Sequence, residues 1–300
     1  MIGMDFQTIK ELLQLCQEKE MTIGELMIET EKQKTGKSSN EIFAMMKERL
    51  HKMKEAVENG ITDPSPTPSG ISGGDAYLMQ KYREKGNYMV GGLMIDAMKY
   101  SFATSEMNAR MGVIVATPTA GSAGVLPGCI FALKENTDIP FDQLVMGLFT
   151  ASAIGYVIAN RAFISGAAGG CQAEVGSATA MASAAIVEMR GGTPEQAVHA
   201  GAMALKSLLG LVCDPVAGLV EVPCIKRNVI GTSIAFTSAE MALAGLESRI
   251  PFDEVIGAMY DIGKSMPRSL KETALGGLAA TPTGEEMKKK ILGKPCLKRA

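Results

Sequence analysis

Phe141-Asp-Gln-Leu-Val-Met-Gly-Leu-Phe-Thr-Ala-Ser-Ala-Ile-Gly-Tyr-Val-Ile-Ala159 is the stretch that decides the fold class. Its pattern is helical, and 18 uncharged residues separate Asp142 from Arg161. Period-two alternation, the mark of a half-buried strand, is scarce here and along the whole chain. Outward from this stretch, residues 111–180 hold only six charged residues: Lys134, Glu135, Asp138, Asp142, Arg161 and Glu174. Residues 1–60 hold 20. The first part therefore reads as solvated amphipathic helices and the second as buried helices packed on one another. The fold class is mainly α: a compact helical domain with buried small-residue helices and Gly-rich loops.

Local signals place the helices. Thr22 followed by Glu25 is a capping box opening a helix to about Lys34, and Thr193-Pro-Glu-Gln196 opens another to about Leu209. After Ser39, the residues Ile42, Phe43, Met46, Leu50, Met53 and Val57 form one apolar face, with Gly60 read as its C-terminal stop. Segments 173–190, 228–247 and 251–265 are also helical in pattern. Asp63-Pro-Ser-Pro-Thr-Pro-Ser-Gly70 is a linker by composition. The expected organisation is an N-terminal helical segment over 1–60, a linker over 61–75 and a main domain over 76–300.

Composition excludes several classes. In 300 residues, 46% are apolar, enough for a sizeable core and too many for disorder. The formal charge of −2 offers no basic surface for nucleic acid, and 5% aromatics without Trp offer no stacking platform. Residues 111–133 form a second uncharged run of 23, but Pro118, Pro127 and several Gly break it, which argues against a membrane span. No apolar segment follows a basic start, and six Cys are too few for a disulfide scaffold, so the expected setting is the reducing cytoplasm.

Three Gly-rich loops each precede a helical pattern: Ser72–Asp75, Ala116–Gly124 and Ser165–Gly170. Each reads either as a tight turn or as a cradle in which backbone N–H groups meet an anion. The Thr117, Thr119 and Ser122 hydroxyls suit either a polar ligand or a helix cap. Cys171 follows the third loop directly. Cys213 lies in Leu211-Val-Cys-Asp-Pro-Val-Ala-Gly218 and is expected at a helix end, and Cys224 lies in Glu221-Val-Pro-Cys-Ile-Lys-Arg-Asn228 at a helix start. Loop N–H groups and helix dipoles at such places lower a thiol pKa. The three are either buried structural thiols or a trio one short of a closed zinc or four-iron site. Cys16 and Cys129 fall on apolar faces. The two His, His51 and His199, lie in helical patterns and give no support to a His-based triad.

Ser165-Gly-Ala-Ala-Gly-Gly-Cys-Gln-Ala-Glu-Val-Gly-Ser177, the run Leu211–Asn228 and Gly276-Gly-Leu-Ala279 resemble the iron–sulfur-dependent L-serine dehydratases, most closely the α subunit of the two-chain bacterial form. The resemblance covers about 72–284. It implies a [4Fe–4S] cluster on Cys171, Cys213 and Cys224 with one iron left open, and conversion of L-serine to pyruvate and ammonia without pyridoxal phosphate. The open iron would act as a Lewis acid on the β-hydroxyl. Substrate contacts are expected from Thr117, Thr119, Gly121, Ser122, Ser165 and Gly166, with Asp75, Asn160, Lys226 and Arg227 as further polar contacts. The Ser-Ser-His-Thr segment of single-chain relatives, whose His is a candidate base, is missing here, so a separate β chain is expected to supply the base. Single-chain relatives also end in a Cys that can occupy the open iron; here the only late Cys is Cys296, and its Lys-rich surroundings speak against that role. Alternatives are a related lyase acting on L-cysteine or L-threonine, and a non-catalytic iron–sulfur redox protein. The expected partners are L-serine and the β chain, with no nucleic acid and no membrane.

Overall fold

Capping boxes set the N-terminal helices in register. Thr8 with Glu11 opens α1 (Ile9–Lys19), Thr22 with Glu25 opens α2 (Ile23–Thr35), and Ser38 with Glu41 opens α3 (Ser39–Thr62). In the computed structural model, which describes residues 5–293, ten more helices follow. They are α4 (Asp75–Glu84), α5 (Gly92–Ala109), α6 (Val125–Asn136), α7 (Phe141–Arg161), the single turn α8 (Gly166–Gly169), α9 (Ser177–Met189), α10 (Pro194–Lys206), α11 (Cys224–Leu243), α12 (Phe252–Ser265) and α13 (Pro282–Leu292). Among the described residues there is no strand, only one isolated parallel bridge between Cys213 and Lys271. The fold is all-α, as the pattern predicts.

Helix α9 is the axis of the molecule. All its residues except Glu188 are buried, and α6, α7, α10 and α11 pack around it. Its sequence, Ser-Ala-Thr-Ala-Met-Ala-Ser-Ala-Ala-Ile-Val-Glu-Met, explains why: Ala, Ser and Thr let neighbouring backbones approach on every side. The buried hydroxyls of Thr179 and Ser183 stay satisfied by donating to backbone carbonyls of the same segment, Val175 and Ala180. Helix α7 is the one described helix long and apolar enough to cross a membrane by length and composition, and 67% of that apolar window is buried against other helices. The second uncharged run is broken: residues 111–119 are irregular, Ala120–Ser122 form a 3₁₀ turn, and helix resumes only at Val125.

The apolar faces of α1–α3 join the same core as α6–α12, through Leu12, Leu26, Leu50 and Met53. Carboxylates from later helices fix their starts. Asp253 accepts the Ile9 and Lys10 N–H groups at 3.0 Å each, and Glu188 accepts those of Ile23 (3.0 Å) and Gly24 (3.1 Å). Gly60 departs from the sequence reading. The helix runs on to Thr62, and Gly60 is buried where a Cβ would lie 2.4 Å from the Ala103 carbonyl oxygen of α5. It permits close helix contact rather than ending the helix.

Candidate functional site

The site starts where α-helical geometry fails. After α8, residues Gln172–Gly176 form one turn of π-helix leading into α9, with Cys171 at its N-terminal boundary. The Gln172 side chain holds this turn: its amide donates to the carbonyls of Gly169 and Met259 (3.0 Å each), and its oxygen accepts the Gly210 N–H at 2.9 Å. With every polar atom of a buried amide occupied, the turn is fixed and Cys171 and Glu174 are directed to one side.

Cys213 does not sit at a helix end. Helix α10 stops at Lys206, and Cys213 lies in extended backbone, accepting from Glu272 N–H (2.7 Å) while its own N–H donates to Leu270 (2.9 Å). The adjacent Asp214, fully buried, accepts the Leu278 N–H at 2.7 Å and pairs with Arg227 at 2.9 Å. The Gly276–Ala279 motif is thereby tied to the Cys213 loop. Arg227 also donates to the Val212 carbonyl at 2.8 Å.

Cys224 opens α11 and is buried. Four residues on, Asn228 fastens this helix start to the second Gly-rich loop. Its amide donates to the carbonyls of Gly121 (2.8 Å) and Cys224 (2.9 Å), and its oxygen accepts the Gly124 N–H at 3.0 Å. Glu221, also buried, accepts hydroxyl hydrogen bonds from Thr67 (2.6 Å), Ser69 (2.9 Å) and Ser72, so the 63–74 stretch is pinned beside the Cys224 loop.

Cys171, Cys213 and Glu174 form one buried group, with ligand atoms all within 4.8 Å of one another. Cys224 lies outside that group, yet Cys171 and Glu174 both act electrostatically on its thiol. None of the three Cys is in a disulfide. The Cys213 thiol donates toward Cys171, which with the nearby Arg227 charge holds Cys171 below the usual thiol range. The same shared proton, with burial, pushes Cys213 up, and burial pushes Cys224 up. Of the three thiols only Cys171 is lowered, and by the Cys213 thiol and the Arg227 charge rather than by loop N–H groups; at Cys224 burial outweighs its backbone hydrogen bond, and at Cys213 the proton shared with Cys171 acts first and burial second. Glu174 is raised by burial, opposed by the hydrogen bond it accepts from Thr119.

The predicted contacts divide. Thr119, Gly121, Ser122 and Gly166 line the thiol–carboxylate group or the loop beside it: Thr119 through Glu174, Ser122 through Thr119 (3.3 Å), Gly121 through Asn228. At Gly166 a Cβ would lie 2.6 Å from Cys213 Sγ, so only glycine leaves that sulfur its place. Ser165 is half-buried at the start of α8 without capping it. Arg227 is beside Cys171. Thr117 is buried, with its carbonyl accepting from Ser122 at 3.0 Å. Asp75 starts α4; its N–H donates to Glu106 at 2.6 Å and its carboxylate pairs with the exposed Lys226 at 3.1 Å. Asn160 is exposed near the end of α7. His51 stacks on Phe141, and His199 accepts the Ser248 N–H at 3.2 Å; neither is in this group. Cys16 and Cys129 are core residues, and Cys296 lies outside the described residues. Sequence reasoning did not single out Glu174, Asp214 or Asn228. For Glu174 a signal existed: it is one of six charges in a 70-residue span otherwise uncharged.

An all-helical protein in which two buried thiols and a carboxylate converge from two distant segments defines a class whose centre has the donor set of a metal site. The chain belongs to the serine dehydratase alpha chain family, which matches residues 18–279. It is 56% identical to the "Probable L-serine dehydratase, alpha chain" of Bacillus subtilis (strain 168), over 96% of each chain. It is 43% identical to the "L-serine dehydratase, alpha chain" of Peptoniphilus asaccharolyticus, over 95% of this chain and 98% of that one. Against the "L-serine dehydratase" of Streptomyces coelicolor it is 37% identical over 91% of its length but spans only 60% of that protein.

Proposed function

We propose that this chain is the α subunit of an L-serine dehydratase, a carbon–nitrogen lyase forming pyruvate and ammonia, with its centre built on a [4Fe–4S] cluster. The observation carrying the activity is the near full-length identity to two proteins named as L-serine dehydratase alpha chains. The residues present fit the cluster: three buried, free thiols from three segments, one held below the usual thiol range by its neighbours, and a glycine where any side chain would displace Cys213. In this reading Cys171, Cys213 and Cys224 hold it. When bound, it supplies a Lewis-acidic iron that makes the β-hydroxyl of serine a better leaving group.

The chain's own residues do the rest. The Gly-rich loops 116–124 and 165–170 present backbone N–H groups and the Thr119, Ser122 and Ser165 hydroxyls for the substrate carboxylate and ammonium. Arg227, locked between Asp214 and the Val212 carbonyl, keeps a fixed positive charge beside Cys171. Burial of the whole group excludes water from the elimination. Loss of the α-proton and of the hydroxyl releases water and leaves an enamine, which tautomerises and hydrolyses to pyruvate and ammonia. The base that takes the α-proton comes, in this proposal, from a separate β chain. Support comes from the length comparison: the L-serine dehydratase of Streptomyces coelicolor contains a large part that this chain does not match.

The test is anaerobic purification followed by iron, sulfide and visible absorbance measurement. About four iron and four sulfide per chain are expected, falling sharply in Cys171→Ala, Cys213→Ala and Cys224→Ala and unchanged in Cys16→Ala and Cys129→Ala. A full cluster in any of the first three would remove that residue from the ligand set, and a metal-free, colourless preparation would end the reading.

A further inference from the structure

A well-formed cavity lies away from the thiol group. It has a volume of about 330 Å³ and opens between α2, α3, α7 and the loop Val115–Pro118. This is the size of a small-molecule site. Its floor is apolar and rich in methionine, with Met27, Met53, Phe149 and Met181. Thioether side chains adapt to varied aliphatic shapes. Its rim carries Glu31, Lys37 and Arg49, for which the described residues provide no salt bridge within 4.0 Å. Half-buried Glu31 offers an acceptor to a cation, and Lys37 and Arg49 offer donors to an anion.

The cavity wall is continuous with the loop beside Glu174. Thr117 lines this cavity, is 94% buried, and its hydroxyl has no hydrogen-bond partner. Thr117 is also wired to the catalytic loop: its N–H donates to the Thr119 carbonyl at 3.1 Å, its carbonyl accepts from Ser122, and Thr119 donates to Glu174.

We propose that this cavity binds a free α-amino acid with an apolar side chain. The side chain fills the methionine-lined floor, the carboxylate meets Arg49 and Lys37, and the ammonium meets Glu31. L-Serine itself is too small and polar to fill that floor, so the cavity suits a different amino acid, and it shares its 116–118 wall with the loop assigned above to the substrate. The occupant lies two residues from Thr119, where it acts on the loop that contacts Glu174.

Isothermal titration of the purified full chain with L-leucine, 4-methylpentanoate and 3-methylbutylamine tests this directly, and it needs neither turnover nor a bound cluster. The expected result is saturable binding of L-leucine, with both analogues weaker by about tenfold or more because each lacks one charge. Arg49→Ala and Glu31→Gln, the first exposed and the second half-buried, weaken L-leucine by a similar factor. Met46→Trp, which fills the mouth, abolishes binding while circular dichroism shows the fold retained. No saturable binding up to millimolar concentrations, equal binding of the three probes, or L-leucine binding untouched by the rim substitutions would each overturn the proposal.

Discussion

At the scale of single residues, the molecule spends its strongest constraints on placing a few side chains. Gly166 shows how tight the placement is. Gly166→Ala puts a methyl group 2.6 Å from Cys213 Sγ and must push the sulfur or the α8 turn aside. The expected outcome is a soluble, folded protein with iron content cut severalfold, read by metal analysis against wild type; full iron loading would show that the sulfur has room to move. Glu188 gives a prediction in pH. Burial raises its carboxyl above the ordinary 4.5, although it caps α2. On acidification from about pH 7, the folded chain takes up this proton before the unfolded chain does. Its contribution to stability therefore improves as pH falls through the raised value, and levels off below 4.5. Melting temperatures of wild type and Glu188→Gln should show the difference shifting in favour of wild type over that range; a constant difference would count against the raised value. Of these residues, Cys171 was conspicuous in the sequence because it directly follows a Gly-rich loop. Asn228 was not: an asparagine inside a helix carries no mark of the three hydrogen bonds it makes to two other segments.

At the scale of elements, capping boxes were the most readable signals, since both partners lie three residues apart in the chain. Those at Thr22 and Thr193 open helices as predicted. Element ends were less legible where tertiary contact decides them. Gly60 looks like a stop but continues α3, because α5 crosses at that point. Gly60→Ala is expected to destabilise the protein by about 1–3 kcal/mol, since a Cβ meets backbone that cannot rotate away. Urea unfolding measures it, and a change below a few tenths of a kcal/mol would show that α3 and α5 separate freely. The π turn before α9 was likewise hidden. Residues 173–190 have helical periodicity throughout, and only the bonds from Gln172 to Gly169, Met259 and Gly210 reveal that the first turn is wider.

At the scale of the whole molecule, all three Cys loops lie within one all-α assembly whose centre is α9. If the base is supplied in trans, the isolated chain, cluster-loaded, should turn over L-serine at least about a hundredfold more slowly than after mixing with its β chain, the effect of losing one general base. A pyruvate assay with and without the second chain measures this, and full activity from this chain alone would place the base here. The sequence by itself determined the helical class, the buried character of 111–180 and the identity of the rare thiols. These follow from periodicity, charge distribution and residue chemistry, which are local properties of the chain. Only the tertiary structure decided that Glu174 joins Cys171 and Cys213, that Arg227 lies beside Cys171, and that Thr117 faces a cavity between α2, α3 and α7. Those outcomes depend on contacts between residues far apart in the chain, which no short-range pattern encodes.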